Sequence, residues 1–490
     1  MPASIHDSIE TQATCHFLSN YVLLPRDDHA EGFLEFVIPL IGANHRNPSF
    51  HYAFHACALL SLSRRARDSH HLRTGAFMTY NKALIAMRGS LQKLHASTCE
   101  AILASAFLLS LFETIAGQAL ACRTHAQGLA ELLNRAMTSK LLSSDCRSLK
   151  TALISQIVMH ALTSGITLPM DDPPWFSSEP SSQCQRLCIQ VAQMGPKIDH
   201  FLIDPTKTGP KVAKMEEMLQ ECRELDNELL LWSKNLPQHY AWRSVAWASI
   251  DSRNADTSSN DEAFPGEIHV YSDLWVSGVW NIWRCARLIL ASKMIRCAAW
   301  LAAPADYRTR REYALFASTC TKLITHIISC IPYQMSWYTE PSATGFACGE
   351  VGEDSQNSLA GFFSLYPLAC VYSHDCTTDT QRRWVQGRLE YVSARHGVEY
   401  AGRVAHLSLR FPSMLIARDR LLAGIEQLRL ETLDSSPSQT ENSNRHGLRK
   451  AISEHQLEDL VSRVSGPSGL IHPVHAKALL QLPNSLSSSP

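Results

Sequence analysis

The sequence predicts an all-α fold: a large irregular helical domain in which long polar loops join the helices. Apolar residues recur at helical intervals in several segments, and no region shows the regularly spaced short alternating strands of a β-sheet protein. Stretches rich in Gly, Pro, Ser and Asp, which are typical of loops, separate these segments. At 490 residues, 45% hydrophobic and 19% charged, the chain is long enough to bury a large core without disulfides or metals.

Four segments carry an apolar stripe that is typical of one helix face. In the first, Leu84, Met87, Leu91 and Leu94 stand at offsets of 0, 3, 7 and 10. The other stripes are Met218, Leu219, Cys222, Leu225, Leu229 and Trp232 in 216–232; Leu315 or Phe316, Cys320, Leu323, Ile327 and Ile331 in 313–331; and Trp384, Val385, Leu389 and Val392 in 381–396. Each segment is therefore predicted to be a helix that packs one side into the core.

Residues 273–300 contain four of the ten tryptophans and predict a core helix. The segment is interrupted at helical intervals by basic residues, so it does not fit a membrane span, which needs roughly 20 mostly apolar residues. We expect the aliphatic stems of Arg284 and Arg287 to lie along the packed face, with their guanidinium groups at its edge. Asn281 needs partners if it is buried, so it is a candidate for a specific interhelical hydrogen bond.

The longest near-continuous apolar run, residues 101–112, stops at Glu113. It is shorter than a bilayer-spanning helix and has the length of a buried one. We therefore predict that the chain does not cross a membrane.

We place the helical domain in residues 1–430 and predict a mostly disordered linker and tail in 431–490, which is rich in Ser, Asn and Pro. A weak amphipathic segment, 448–464, lies within that tail and is read as a frayed end or an interaction helix. Three long breaker-rich segments are predicted to be surface excursions: 165–183, 250–267 and 339–358.

The cysteine pattern and the amino-terminal segment indicate an intracellular, reducing compartment. The fifteen cysteines are scattered singly, mostly among apolar neighbours, where a free thiol behaves as a small hydrophobic group. The start, MPASIHDSIETQ, lacks the charged and apolar regions of a signal peptide. A formal net charge of −1 gives no whole-chain electrostatic reason to bind nucleic acid or an anionic membrane.

No phosphate-binding glycine loop and no nucleophile-elbow motif occurs in the sequence. The aspartate pairs Asp171-Asp172 and Asp27-Asp28 lack a third acid at the spacing that a magnesium site needs, so we interpret both as loop or cap residues. His51 and His55, like Cys184 and Cys188, stand four apart, a weak metal-ligand pattern that packing explains better. We predict no catalytic, cofactor-binding or metal-ligating residue, no cofactor, and a chain that is not an enzyme.

Three short basic clusters are interpreted as solvated helix ends rather than nucleic-acid contacts, because no aromatic residues interleave with them as a stacking surface would require. They are Arg64-Arg65-Ala66-Arg67, Arg308-Thr309-Arg310-Arg311 and Arg382-Arg383.

An ordered series of segments over about residues 10–425 resembles the fungal-specific transcription factor domain, the regulatory domain of the fungal zinc-cluster transcription factors. The apolar helix 101–113, which closes on an acid, and the Trp280-Asn281-x-x-Arg284 helix with Arg287 are similar to two helices of the family. The other similar positions are Tyr80, Ala83, Leu84 and Leu91; His125, Gly128, Leu132, Leu133 and Arg135; Leu225-Asp226 with Leu229, Trp232 and Leu236-Pro237; and Gly361, Pro367-Leu368 and 381–398. The chain departs from the family at Ala136, where a glycine is common.

The resemblance implies an all-α domain that follows a DNA-binding module with six cysteines and two zinc ions. The sequence contains no C-x2-C pair and only Cys15 in its first 50 residues, so no DNA- or zinc-contacting residue of the family carries over to it. The chain is therefore expected either to act through a DNA-bound partner or to be one product of a longer gene.

The leading hypothesis is a nuclear transcriptional regulator of a filamentous fungus, acting through its helical domain on a secondary-metabolite gene cluster. Its expected partners are a DNA-bound transcription factor or a second copy of itself, with an unknown small-molecule effector. The alternative is a ligand-sensing or protein-interaction module, in which Trp275, Trp280, Trp283 and Trp300 would line a cavity; core packing is the favoured interpretation of these tryptophans. A third is an all-α enzyme of an unrecognised class.

Overall fold

The computed structural model of the chain contains fourteen α-helices and one two-stranded hairpin within the residues it describes, which confirms the all-α prediction. The side chains of residues 119–124 lie outside that description. The described residues are 8–25, 31–42, 47–65, 69–92, 94–142, 146–164, 168, 175–202, 207–248, 262–303, 305–337 and 358–407.

The first seven helices form the amino-terminal part of the domain, and the apolar helix α5 lies at its centre. α3 packs against α1, α4 and α5, and α5 also packs against α6 and α7. The bounds are α1 Ile9–Tyr21, α2 Val37–Gly42, α3 Pro48–Ser63, α4 Ser69–Leu91, α5 Ala96–Ala116, α6 Ala119–Thr138 and α7 Arg147–Ser164.

The tryptophan-rich segment forms α10, the longest of these helices, around which the carboxy-terminal part is built. α10 packs against α8, α9 and α11, so nearly every side chain in its first five turns is buried. The bounds are α8 Pro180–Phe201, α9 Gly209–Lys234, α10 Leu274–Ala302, α11 Arg311–Gln334, α12 Ser358–Ser373, α13 Asp379–Arg395 and α14 Glu399–Ala405.

Local chemistry explains where several helices begin and end. The Asp273 carboxylate caps α10 by accepting a hydrogen bond from the backbone N–H of Val276 at 2.7 Å. Asn47 caps α3 in the same way, and Pro48 at the first helical position lacks the N–H that would otherwise need a partner. α5 ends at Gly117, whose φ of 75° is the left-handed conformation that glycine adopts without strain.

The hairpin consists of β1 Arg243–Ala248 and β2 Gly266–Val270, paired antiparallel, with β2 packed against α11. The composition of residues 250–267 predicts a loop, and the sequence does not predict the two strands on either side of it. Each is short and half-buried, so neither shows the alternation that identifies a strand by itself.

The stripe predicted for α9 is buried as expected, and so is the stripe of α13. On α11 the buried residues include Cys320, Leu323, Ile327 and Ile331, whereas Leu315 is exposed.

The stripe predicted on α4 is confirmed at Met87, which is buried, but not beyond it: Leu91 is 39% exposed, and Leu94 lies past the helix end. The face that packs on α3 includes the alanines 76 and 83, whose small side chains allow the two helices to approach closely. A helical stripe identified from its large apolar residues does not include a packed face that consists partly of alanines. Its buried residues are Leu72, Ala76, Tyr80, Ala83 and Met87.

Two helices, α5 and α11, are long and apolar enough to cross a bilayer by length and composition alone. In this fold, 83% of the most apolar stretch of α5 is buried among other helices. α5 continues past Glu113 to Ala116, so the acid stands inside the helix rather than at its end. These features are those of a core helix in a folded domain, and the absence of a membrane partner stays a prediction.

The chain divides into two units, Met1–Val371 with Asp379–Ala405, and Tyr372–Thr378 with His406–Pro490. The predicted linker and tail, 431–490, and the amphipathic segment 448–464 lie outside the described residues. The same holds for Asp27-Asp28 and Asp171-Asp172, so their interpretation as loop residues stays untested.

Candidate functional site

Three residues that carry the family resemblance meet in the amino-terminal part of the domain. Glu113 of α5 is fully buried, and its Oε1 accepts a hydrogen bond from the hydroxyl of Tyr80 on α4. The same oxygen lies 2.8 Å from Nε2 of His125 on α6. A buried carboxylate is costly unless it is hydrogen-bonded, so these contacts fix three helices around one acid.

A second contact between resemblance residues joins α9 to α10. Nε and Nη2 of Arg287 donate to the two carboxylate oxygens of Asp226 at 2.7 and 3.0 Å. The guanidinium group also lies 5.0 Å from the centre of the Trp283 ring. The side chain of Arg287 is 10% exposed, which confirms the expected position of its charged end at the edge of the packed face.

The predicted interhelical hydrogen bond of Asn281 is confirmed. Its Nδ2 donates to Oε1 of Gln334 on α11 at 3.2 Å and to the Cys330 sulfur at 3.3 Å. Gln334 in turn donates to the hydroxyl of Ser277 at 3.2 Å and accepts from Ser364 of α12 at 3.0 Å. Every residue of this network is buried, so its hydrogen bonds fix the positions of α10, α11 and α12 relative to one another.

The prediction for Arg284 is wrong, because its guanidinium group is fully buried rather than at an edge. Nη1 donates to Oδ1 of Asn281 at 2.8 Å. The guanidinium carbon lies 5.6 Å from each of three ring centres, those of Trp242, Tyr271 and Trp280. The Tyr271 hydroxyl and the Cys330 sulfur also lie beside this group: burial raises the pKa of both, and hydrogen bonding to Arg284 opposes part of that rise.

Two histidines adjoin this buried cation and are held in the neutral form. Burial, with a smaller contribution from the positive charge of Arg284, lowers the pKa of His269 to about 3. The same two causes lower the pKa of His326 to about 4. His269 Nε2 lies 3.1 Å from the carboxylate of Glu267 on its own strand. Burial raises the pKa of Tyr271 well above its usual value, so its hydroxyl stays protonated.

Cation–π contacts with the three rings contribute about 0.5–2 kcal/mol each. No carboxylate is bonded to Arg284 within the described residues. The rings and the neighbouring polar groups therefore take the place of the water that a buried guanidinium group loses.

The tryptophans of α10 mostly pack against other rings, as the sequence analysis favoured. Trp280 and Trp283 lie 5.7 and 6.3 Å from Trp232 of α9, centre to centre. Trp300 contacts Phe201 edge-on at 5.9 Å. Trp275 stacks on Phe33 at 5.7 Å and also lines a cavity of about 30 Å³ that Phe362 and Tyr366 border. That volume holds about one or two waters and is too small for a drug-sized metabolite.

The His and Cys pairs pack against each other. The rings of His51 and His55 contact edge-on at 4.4 Å, and the sulfurs of Cys184 and Cys188 are 4.0 Å apart. In the described part of the chain no group of three or more His, Cys, Asp or Glu side chains is placed to hold a metal ion. That the chain uses no metal, cofactor or catalytic residue stays a prediction.

In the first basic cluster Arg65 is exposed as predicted and residues 66–67 lie outside the described residues, but Arg64 is not simply solvated. Arg64 donates to the carbonyl oxygen of Ile115 at 3.3 Å and pairs with Glu399 of α14. It therefore joins the ends of α3 and α5 to the last described helix. Arg308 and Arg383, in the other two clusters, are exposed as expected.

The chain matches the family model described as "Fungal specific transcription factor domain" over residues 15–407, most of its length. The chain belongs to this family. Its sequence is also similar to "Transcription factor dbaG" of Emericella nidulans, with 23% identity over 350 residues that cover 68% of this chain and 77% of the relative. No solved structure matches the chain.

The contacts described above join segments that carry the resemblance. Tyr80, Glu113 and His125 are far apart in the sequence and meet in space, as do Asp226 and Arg287. The family is one of transcription factors, which makes this chain a transcriptional regulator.

Three residues around the middle of α10 are not identifiable from the sequence: Trp242 and Tyr271, which lie beside Arg284, and Gln334, which accepts a hydrogen bond from Asn281. Trp242 and Tyr271 flank the hairpin, and Gln334 is the last residue of α11. None of the three belongs to a periodic pattern with the residues of α10, because they reach α10 from other parts of the chain. The charge of Arg284 inside an apolar helix was the one available indication that a polar or aromatic environment had to surround it.

Proposed function

We propose that this chain regulates transcription in the nucleus of a filamentous fungus through its helical domain, and that its target genes form a secondary-metabolite cluster. The observation that supports the regulatory role best is the family match over residues 15–407. The contacts Tyr80–Glu113–His125 and Asp226–Arg287, which join the resembling segments, agree with it.

We propose that this chain reaches DNA through a partner protein rather than through its own residues. The sequence has no C-x2-C pair, the spacing that the family's zinc cluster requires. We propose that a DNA-bound transcription factor is the partner, with homodimers as the alternative assembly, and that the chain is neither an enzyme nor membrane-bound.

A tethering experiment tests the regulatory role. The chain is fused to a heterologous DNA-binding domain and expressed with a reporter that carries the matching operator. We expect reporter transcription to change with the intact fusion and to change less with a fusion that carries Glu113→Ala, which removes the acid shared by α4, α5 and α6 and so destabilises the domain. An equal expression level of both fusions, measured by immunoblot, is the control.

A deletion strain tests the target genes. Transcript profiling of the deletion should show a co-ordinated change confined to a contiguous group of biosynthetic genes, and a fluorescent fusion should locate in the nucleus. A reporter that does not respond to the tethered chain, together with an unchanged transcript profile, would contradict the regulatory role itself.

A further inference from the structure

One side of helix α4 is exposed, basic and partly apolar. Met78 and Ile85 stand two turns apart and are 59% and 75% exposed, and the exposed Lys82 lies between them. Arg88, also exposed, follows Ile85 by three positions. Residues three, four and seven apart share one side of a helix, so these four side chains form a single surface, the α4 face.

The basic residues of the α4 face are not neutralised within the described residues. The helix packs on α3 through its opposite side, which carries the buried alanines. Arg73, on another side of the helix, binds Glu399 at 3.2 Å, whereas Lys82 and Arg88 form no ion pair in the described part of the chain. α4 contains no Asp or Glu, so the α4 face carries a net positive charge towards solvent.

Two glycines lie on the same side of α4. A Cβ at Gly75 or at Gly89 would meet nothing within 4 Å, so the packing of this fold does not require a glycine at either position. Glycine is less favourable than alanine in a helix, but it allows the backbone of a neighbouring element to approach closely. Together with the exposed apolar side chains, the two glycines favour a helix of another molecule at this face over bulk solvent.

Helix α9 presents an exposed acidic face. Its residues recur every three or four positions and end on Leu231, which is 57% exposed. A different side of α9 packs on α8 and α10. Lys214 neutralises the first acid at 2.7 Å, but Glu224 and Glu228 have no basic partner among the described residues. The residues of this surface, the α9 face, are Glu217, Glu221, Glu224, Glu228 and Leu231.

The two faces are complementary in charge and in length. Two α4 faces would bring cations together and two α9 faces would bring anions together, so each face suits the other kind rather than its own. Residues 75–89 and 217–231 each rise by about 21 Å along their helices, at 1.5 Å per residue. The carboxylates of one face can therefore meet the cations of the other while Leu231 lies beside Met78 or Ile85.

We propose that this chain self-associates, with the α4 face of one copy bound to the α9 face of a second copy. α4 and α9 of one molecule are not packed on each other, so the contact forms between molecules. Each molecule offers both faces, and two copies can form the contact twice around a two-fold axis. The contact supplies the surfaces for the homodimer alternative above and does not depend on the regulatory role of the chain.

Analytical ultracentrifugation of the purified full chain measures self-association. We expect the mean mass to rise with protein concentration, and the dissociation constant to increase when NaCl is raised from about 50 mM to about 500 mM, because salt screens exposed charges. Each helix contributes a narrow surface, so the association is weak and reversible.

Charge reversal identifies the two faces. The double variant Lys82→Glu with Arg88→Glu should raise the dissociation constant at least about tenfold, and so should Glu224→Lys with Glu228→Lys. Mixing the two double variants should restore association, because every α4–α9 contact between them again joins opposite charges. The control is Arg186→Glu on the exposed surface of α8, which should leave the dissociation constant unchanged. All five positions are exposed, so the variants should keep the circular dichroism and Tm of the original chain.

A chain that stays monomeric at every concentration would overturn the proposal. Association that survives either reversal, or a mixture of the two variants that does not associate, would overturn it as well. A labelled DNA duplex is the remaining reference: if the chain stays monomeric but binds the duplex, and Lys82→Glu with Arg88→Glu abolishes that binding, the α4 face is a nucleic-acid surface instead. Since ultracentrifugation needs no reporter, a monomeric result leaves the regulatory role to its own tests.

Discussion

At single residues, the interior of this domain holds charged side chains that bind one another across helices. Glu113 accepts from Tyr80 and contacts His125, and Asp226 accepts two hydrogen bonds from Arg287. An isolated buried charge costs far more than a paired one, so removing one partner harms the fold more than the pair stabilises it. Such pairs therefore specify which helices meet.

Asp226→Ala is expected to lower the free energy of unfolding by about 2 kcal/mol, because it leaves the mostly buried Arg287 guanidinium without its anion. Urea denaturation should show a lower midpoint with an unchanged slope. Lys214→Ala breaks the solvent-exposed pair with Glu217 and should leave the midpoint where it is. Equal effects of the two variants would contradict a special role for the Asp226 pair.

Tyr80→Phe should cost about 1 kcal/mol, since it removes the hydrogen bond to Glu113 and keeps the ring that stacks on Phe112. Glu113→Ala should cost more, about 2–3 kcal/mol, because it removes the contacts with both Tyr80 and His125 and opens a cavity. Chemical denaturation of both variants measures which of them loses more free energy of unfolding. Ile85→Ala, at a position 75% exposed on the same helix as Tyr80, is the control and should change little.

At the scale of elements, close approach between helices depends on small residues. Gly361 of α12 lies against His396, just after α13; a Cβ at this position would meet the Cβ of His396 at 2.6 Å and its Nδ1 at 2.9 Å. Gly75 in the middle of α4 has open space around the same position. Close packing therefore requires a glycine at position 361, whereas the space around position 75 would admit a larger residue.

Gly361→Ala is expected to destabilise the domain by about 1–3 kcal/mol, because the packed residues around His396 must shift. Gly75→Ala should stabilise it by about 0.5–1 kcal/mol, since alanine loses less backbone entropy in a helix. The two values of Tm, measured side by side, test both statements. Stabilisation by Gly361→Ala would show that α12 and His396 are not in tight contact.

For the whole molecule, buried neutral histidines make stability depend on pH. Burial lowers the pKa of His160 to about 4, and its Nε2 lies within hydrogen-bond distance of Gln156 Nε2, at 3.1 Å, and of the Tyr366 hydroxyl, at 3.2 Å. His16 and His326 also have a pKa of about 4. In the unfolded chain these groups titrate near 6.5, so the unfolded state binds more protons as the pH falls below that value. Their contribution is therefore fully present above about pH 6.5 and is lost on acidification towards about pH 4.

His160→Gln should reduce this acid sensitivity. The amide oxygen of the introduced glutamine can accept a hydrogen bond as the neutral imidazole does, but the glutamine side chain does not bind a proton in this pH range. Between about pH 7 and about pH 5 the variant should lose about 2 kcal/mol less stability than the original chain. Urea titrations at the two pH values measure the difference, with His70→Gln on the exposed surface of α4 as the matched control. An unchanged pH slope in His160→Gln would show that another group carries the effect.

The sequence by itself determined the helical class, the buried faces of α9 and α13, the core position of α10 and the hydrogen bond of Asn281. Periodicity and local composition act over a few turns, so they are read directly from neighbouring residues. Tertiary structure alone decided that the packed face of α4 runs through its alanines, and that a hairpin packs against α11. It also decided that Arg284 is enclosed by rings from Trp242, Tyr271 and Trp280. Those features arise when elements distant in the chain compete for the same space, and no local pattern records the outcome.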